Sequence, residues 1–121
     1  MAFKIDIHPS NTLRIIYSGV INKEEILSVR ENARAMVGAN KLEYILVDLR
    51  KGILDVNEME LFNFASSQKK VYSTVVKTAI IYNKGKHNHE DLMMYAATAS
   101  SRGFKVKLFV NGSEASKWLK F

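Results

Sequence analysis

Two short, nearly unbroken apolar runs most constrain what this chain can fold into: Tyr44–Leu49 (YILVDL) and Val75–Tyr82 (VVKTAIIY). Neither alternates apolar with polar residues, as a strand with one wet face does, and neither approaches the ~18–20 residues of a membrane span. Such runs read as strands covered on both faces, the habit of parallel sheets, whose crossover connections are usually helices. The sequence between them supplies one. Asn57 with Glu60 three residues later makes a cap-and-acid start, and Leu61, Phe64, Ala65 and Gln68 follow at helical spacing up to about Lys70.

The same logic orders the rest. Phe3, Ile5 and Ile7 alternate with Lys4, Asp6 and His8, Pro9-Ser10-Asn11 turns the chain, and Leu13–Val20 returns, which predicts an antiparallel hairpin. Asn22 and Glu25 open a helix over about 23–37, with a stripe of Ile26, Val29, Ala33 and Met36 or Val37, and Gly38 fits its end. Glu90–Arg102 is a third helix, with Asp91 in its first turn and Gly103 beyond it. Phe104–Val110 alternates again, and Lys105 and Lys107 on its polar face suit a guarded sheet edge. Asn111-Gly112 turns, and Ser113 is expected to cap a last helix whose Ala115, Trp118 and Leu119 face the sheet. The order is β-β-α-β-α-β-α-β-α: an α/β fold with a mostly parallel sheet of four or five strands and an N-terminal antiparallel hairpin. With 121 residues and no linker or repeat, positions 1–121 read as a single domain.

Composition removes several function classes. There is no cysteine, hence no disulfide scaffold, thiolate zinc site, iron–sulfur cluster or cysteine nucleophile. The start MAFKIDIH lacks the apolar core of a signal peptide, so a cytoplasmic location is expected. Residues 1–60 hold eight Lys/Arg against nine Asp/Glu, whereas residues 61–121 hold ten against three. This basic second half favours an acidic partner. Nucleic acid is not expected, because the charges are scattered lysines and no strand carries the exposed aromatics of an RNA reader.

In an open α/β sheet ligands sit outside the carboxyl ends of the strands. Here that rim collects Asp48 and Arg50 after the third strand and Asn83–His89 after the fourth. Lys84 and Lys86 lead toward a helix start, where free N–H groups favour anions, but the stretch has no phosphate-loop spacing. His87 and His89, two apart beside Glu90 and Asp91, are the one alternative for a metal, with Asp48 across the rim as a conceivable third ligand. Two histidines without a defined third ligand do not define a centre, so no metal or cofactor is expected. The serines lack a nucleophile elbow, and the carboxylate pairs Glu24–Glu25 and Glu90–Asp91 sit in helix first turns, so no catalytic residue is assigned.

Three stretches resemble the STAS-like family, named for sulphate transporters and anti-sigma-factor antagonists and SpoIIAA-like in fold. They are Tyr17–Ile26 (YSGVINKEEI), Tyr44–Arg50 (YILVDLR), and Arg102–Val110 with Ser113-Glu114-Ala115 and Trp118-Leu119. The last is similar to the closing strand and helix of small stand-alone bacterial members. The resemblance implies a non-enzymatic regulatory module that binds a protein partner, with a homodimer as a further arrangement open to it. In the antagonist branch a Ser at the start of the helix after the central strand is phosphorylated. Leu49–Asn57 (LRKGILDVN) holds no Ser or Thr, so no phosphosite is carried over, and what remains at that place is Asp48, Arg50 and Asn57. A sensor of a small ligand, anion or metal at the same rim, using Arg50, Lys84, Lys86, His87 and His89, is the alternative reading.

Overall fold

A computed structural model describes residues 3–120. Two antiparallel strands, β1 (Phe3–His8) and β2 (Thr12–Asn22), lead into α1 (Lys23–Asn40). Then come β3 (Tyr44–Asp55), α2 (Glu58–Val71), β4 (Lys77–Ile81), α3 (His89–Ser101), β5 (Val106–Phe109) and α4 (Gly112–Leu119). The sheet order β1-β2-β3-β4-β5 follows the chain, antiparallel at the hairpin and parallel thereafter. This is the α/β architecture expected from the two apolar runs.

A sheet wound in chain order by crossovers of one hand carries all its connecting helices on one face. That face holds the main core. Leu13, Ile15 and Tyr17 of β2, Ile45 and Leu49 of β3, and Ile80 of β4 pack with Val29 and Ala33 of α1, Ala65 of α2, and Leu92, Ala96 and Ala99 of α3. The other face has only α4, which lies on β4 and β5 and buries Ala115 and Leu119 against Ala79, Ile81 and Phe109. Lys77 and Lys107 lie over the Trp118 ring, at 5.1 and 5.9 Å, which ties α4 to β4 and β5.

Three local expectations are corrected. Gly38 does not end α1: the helix runs on to Asn40, and Lys41 takes the left-handed conformation at φ 49°. The end is set by burial of Val37 and Leu42 on either side of that turn, both amides of the turn bonding to the Val37 carbonyl. Ser113 does not cap α4: the Asn111 side chain does, accepting from the backbone N–H groups of Ser113 and Glu114. Most consequentially, the central strand does not stop at Leu49, and β2 does not stop at Val20. The two pair in parallel as far as Asn22 and Asp55, seven residues of β3 beyond the last partner β4 offers.

Candidate functional site

The overhang begins with an irregularity. Ile16 pairs with Asp48, but Ser18 pairs with Lys51, so β3 accommodates one residue more than β2 across the step. A bulge of this kind reverses the in-out alternation downstream. Leu49 and Leu54, five residues apart, therefore both pack toward the helices. Beyond the bulge the ribbon depends on Gly52, because a Cβ there would lie 2.4 Å from Ile21 Cδ1 and 3.3 Å from Tyr17 Cβ. Both contacts belong to buried side chains.

Asp48 and Arg50, either side of this step, form a bidentate pair. Arg50 Nε and Nη2 donate to the two carboxylate oxygens at 3.0 and 2.9 Å, and the Arg50 backbone N–H donates to Oδ1 at 3.0 Å. Burial pushes the Asp48 carboxyl up, but these three donors and the charge of Arg50 outweigh it and hold the carboxyl below its ordinary value.

Past Ile81 the free edge of β3 needs partners for its carbonyls, and the 83–88 loop supplies them. His87 Nε2–H donates to the Gly52 carbonyl at 2.9 Å, while its Nδ1 accepts from the Asn83 N–H at 3.0 Å. The ring is buried, and the two bonds fix its proton on Nε2. Lys86 Nζ reaches the Arg50 carbonyl at 3.4 Å. Asn83 Oδ1 closes the loop on the Gly85 N–H, and Asn88 caps α3 through the Asp91 N–H.

Of the residues singled out from the sequence, the fold thus gathers Asp48, Arg50, Lys86 and His87 at one end of the sheet. Lys84 is exposed on the same loop. His89 turns away, its Nδ1 sharing a hydrogen bond with the Tyr82 hydroxyl and the two rings stacked. A metal shared by His87 and His89 would have to break a bond of the buried His87 ring, and no group of three metal-ligating side chains occurs among the described residues. Asn57 stands apart as one half of a capping box with Glu60 at the start of α2.

Because α4 covers only β4 and β5, a groove of about 270 Å³ lies beside it on the open sheet face. Arg14, Ile16, Leu46, Asp48 and Arg50 line its sheet side, and Gly112 and Ser116 of α4 its other wall. Arg14 is itself held bidentately by Asp6 at 2.7 and 2.8 Å. Further along the same ribbon, Val20 and Ile53 are register partners, 54% and 53% exposed. Sequence reasoning missed Arg14, Ile16, Val20 and Ile53. The strand-like alternation about Arg14 gave its face, but nothing local showed that α4 would leave that face uncovered.

No protein-family model matches the sequence, and no curated protein matches it. Solved structures do match its fold. One is a protein of the DUF3478 family with a SpoIIAA-like fold from Shewanella loihica, at 15% identity and a TM-score of 0.65, over 98% of this chain and 92% of that one. A second is the anti-sigma factor antagonist SpoIIAA in its unphosphorylated form, at 11% identity and a TM-score of 0.63, over 98% of each chain. A third is the Bacillus cell fate determinant SpoIIAA in its phosphorylated form, at 9% identity and a TM-score of 0.63, over 98% of this chain and 99% of that one. The strand order, the antiparallel N-terminal hairpin and these matches along nearly the whole chain agree: this is a domain of the SpoIIAA-like, STAS-type fold.

Proposed function

We propose that this chain is a non-enzymatic regulatory module that binds an acidic protein partner on the open sheet face and the adjoining rim. The observation that carries this reading is the uncovered β2–β3 ribbon. It presents the paired, half-exposed side chains of Val20 and Ile53 to solvent, next to the exposed cations Arg50, Lys51, Lys84 and Lys86. An apolar centre with a polar, charged rim is the usual make-up of a docking patch, and cations predominate on this one. Two acids adjoin them: Asp48, which is paired with Arg50, and the exposed Asp55, two residues beyond Ile53 on β3. SpoIIAA of the same fold is an anti-sigma factor antagonist, which supports a regulatory reading for this chain as well. The SpoIIAA structures include a phosphorylated form. The connection from β3 to α2 in this chain has no hydroxyl residue, so we infer regulation here without a phosphorylated Ser at that place.

Affinity capture from the cell's own extract tests this, comparing the wild-type chain with an Arg50→Glu/Ile53→Asp double variant of unchanged circular dichroism. A partner held in near-stoichiometric amount by the wild type and lost by the variant is expected. Equal capture by both, or turnover of substrate in a hydrolase and transferase screen, would contradict the reading.

A further inference from the structure

The helix-covered face of the sheet holds a partly open cavity of about 100 Å³, on the opposite side of the sheet from the groove. Its walls are mostly aliphatic and aromatic, among them Ile15, Ile45, Ile80, Leu92 and Phe104. One wall carries the Thr78 hydroxyl. Thr78 is 3% exposed, and its Oγ1 has no hydrogen-bond partner, the one such buried side-chain atom among the described residues. Nearly all buried polar atoms in native proteins are paired, so an unpartnered hydroxyl on a residue that lines a cavity marks a group with a partner to find. An apolar cavity of roughly 150 Å³ takes up benzene whole; this one has two-thirds of that volume and is open on one side, so a ring seated in it extends into the opening.

The remaining polar groups narrow the ligand. Arg30 lines the cavity, but its Nη2 is committed to the Phe64 carbonyl at 2.6 Å and to Gln68 Oε1 at 2.8 Å, and Gln68 in turn donates to the Tyr95 hydroxyl. This clamp closes the seam between α1 and α2, which otherwise touch little. Burial raises the Tyr17 and Tyr72 phenols, and pushes Tyr95 up to about 12, so all three stay uncharged. An interior of neutral groups, with its single cation already bound, favours an uncharged ligand.

We propose that this cavity binds a small neutral molecule, one ring or a short branched chain in size, through apolar contact and one hydrogen bond to Thr78 Oγ1. The site lies on the opposite face of the sheet from the partner surface, and it moves small-molecule recognition from the rim into the core.

The test is a methyl NMR titration of the full chain with phenol and, separately, benzene. Saturable shifts among the lining methyls, Ile15, Ile45, Ile80 and Leu92 included, are expected, with phenol binding at least severalfold more tightly than benzene. In Thr78→Val, which keeps the shape and removes only the unpartnered hydroxyl, that preference should vanish while benzene still binds. No saturable shift with either probe, shifts centred on the rim, or equal affinity for the two probes in the wild type would overturn the proposal. So would a phenol preference retained in the variant. The wild-type comparison decides by itself should Thr78→Val fail to fold.

Discussion

Gly52 shows how a single missing atom permits the overhang. Its position against Ile21 Cδ1 leaves no room for a methyl group, and Ile21 is fully buried, so it could yield only by repacking against its neighbours. Overpacking of this kind costs about 1–3 kcal/mol. Gly52→Ala is therefore expected to lower the urea midpoint correspondingly, and an unchanged midpoint would show that the ribbon is looser than described. Asp48 and Arg50 give a second test, in pH. The Asp48 carboxyl is depressed in the folded chain, so its contribution to stability is present above the unfolded carboxyl value of about 3.9 and is lost as pH falls through the lower folded value. Arg50→Gln removes the guanidinium and leaves burial, which acts in the opposite sense. The Asp48 titration midpoint, followed by carboxyl NMR, is expected below 3.8 in the wild type and higher in the variant. Coincident midpoints would mean that the bidentate pair does not persist in solution.

Among the elements, features signalled by residues close in sequence are legible, and those set by tertiary burial or by strand pairing are not. The Asn22 and Asn57 starts of α1 and α2 were readable because an N-cap and its acid lie within four residues of sequence. So was the edge position of β5, from Lys105 and Lys107. The end of α1 was misread at Gly38, which lies in open space within the helix, because the turn follows from burying Leu42 and not from the nearest glycine. The β3 overhang was hidden for a stronger reason. Arg50-Lys51-Gly52 looks like a loop after an apolar run, and the bulge at Asp48 shifts the phase, so that Leu49 and Leu54 share a face that no period-2 pattern connects. At α4 the Asn111 cap offers a discriminating test. Asn111→Ala is expected to cost about 1 kcal/mol, since two backbone N–H groups lose their acceptor, whereas exposed Ser113→Ala should change little. Equal losses for the two, read from chemical denaturation, would return the capping role to Ser113.

For the whole molecule, the asymmetry of cover is what matters. Three helices fill one face, one short helix covers two strands of the other, and the uncovered remainder carries the groove, the Asp48–Arg50 pair and the Val20–Ile53 pair. Asp48, Arg50, Lys84 and Lys86 were legible as rim residues because strand ends collect in an α/β sheet. The inward turn of His87 and the exposure of Ile53 were not, because each depends on which strand falls short of its neighbour. The interior cavity was equally invisible, since a sequence pattern records which residues are apolar and not how completely they fill their space. Among the described residues no helix is long and apolar enough to cross a membrane. The central claim is that a protein docks on this open face, and site-specific photocrosslinking in the native cells addresses it most directly. A photoreactive side chain at Ile53 is compared with one at Met93, which is 50% exposed on α3 of the opposite layer. A discrete heavier adduct from position 53 and none from position 93 is the expected result; adducts from 93 alone, or from neither, would contradict the account.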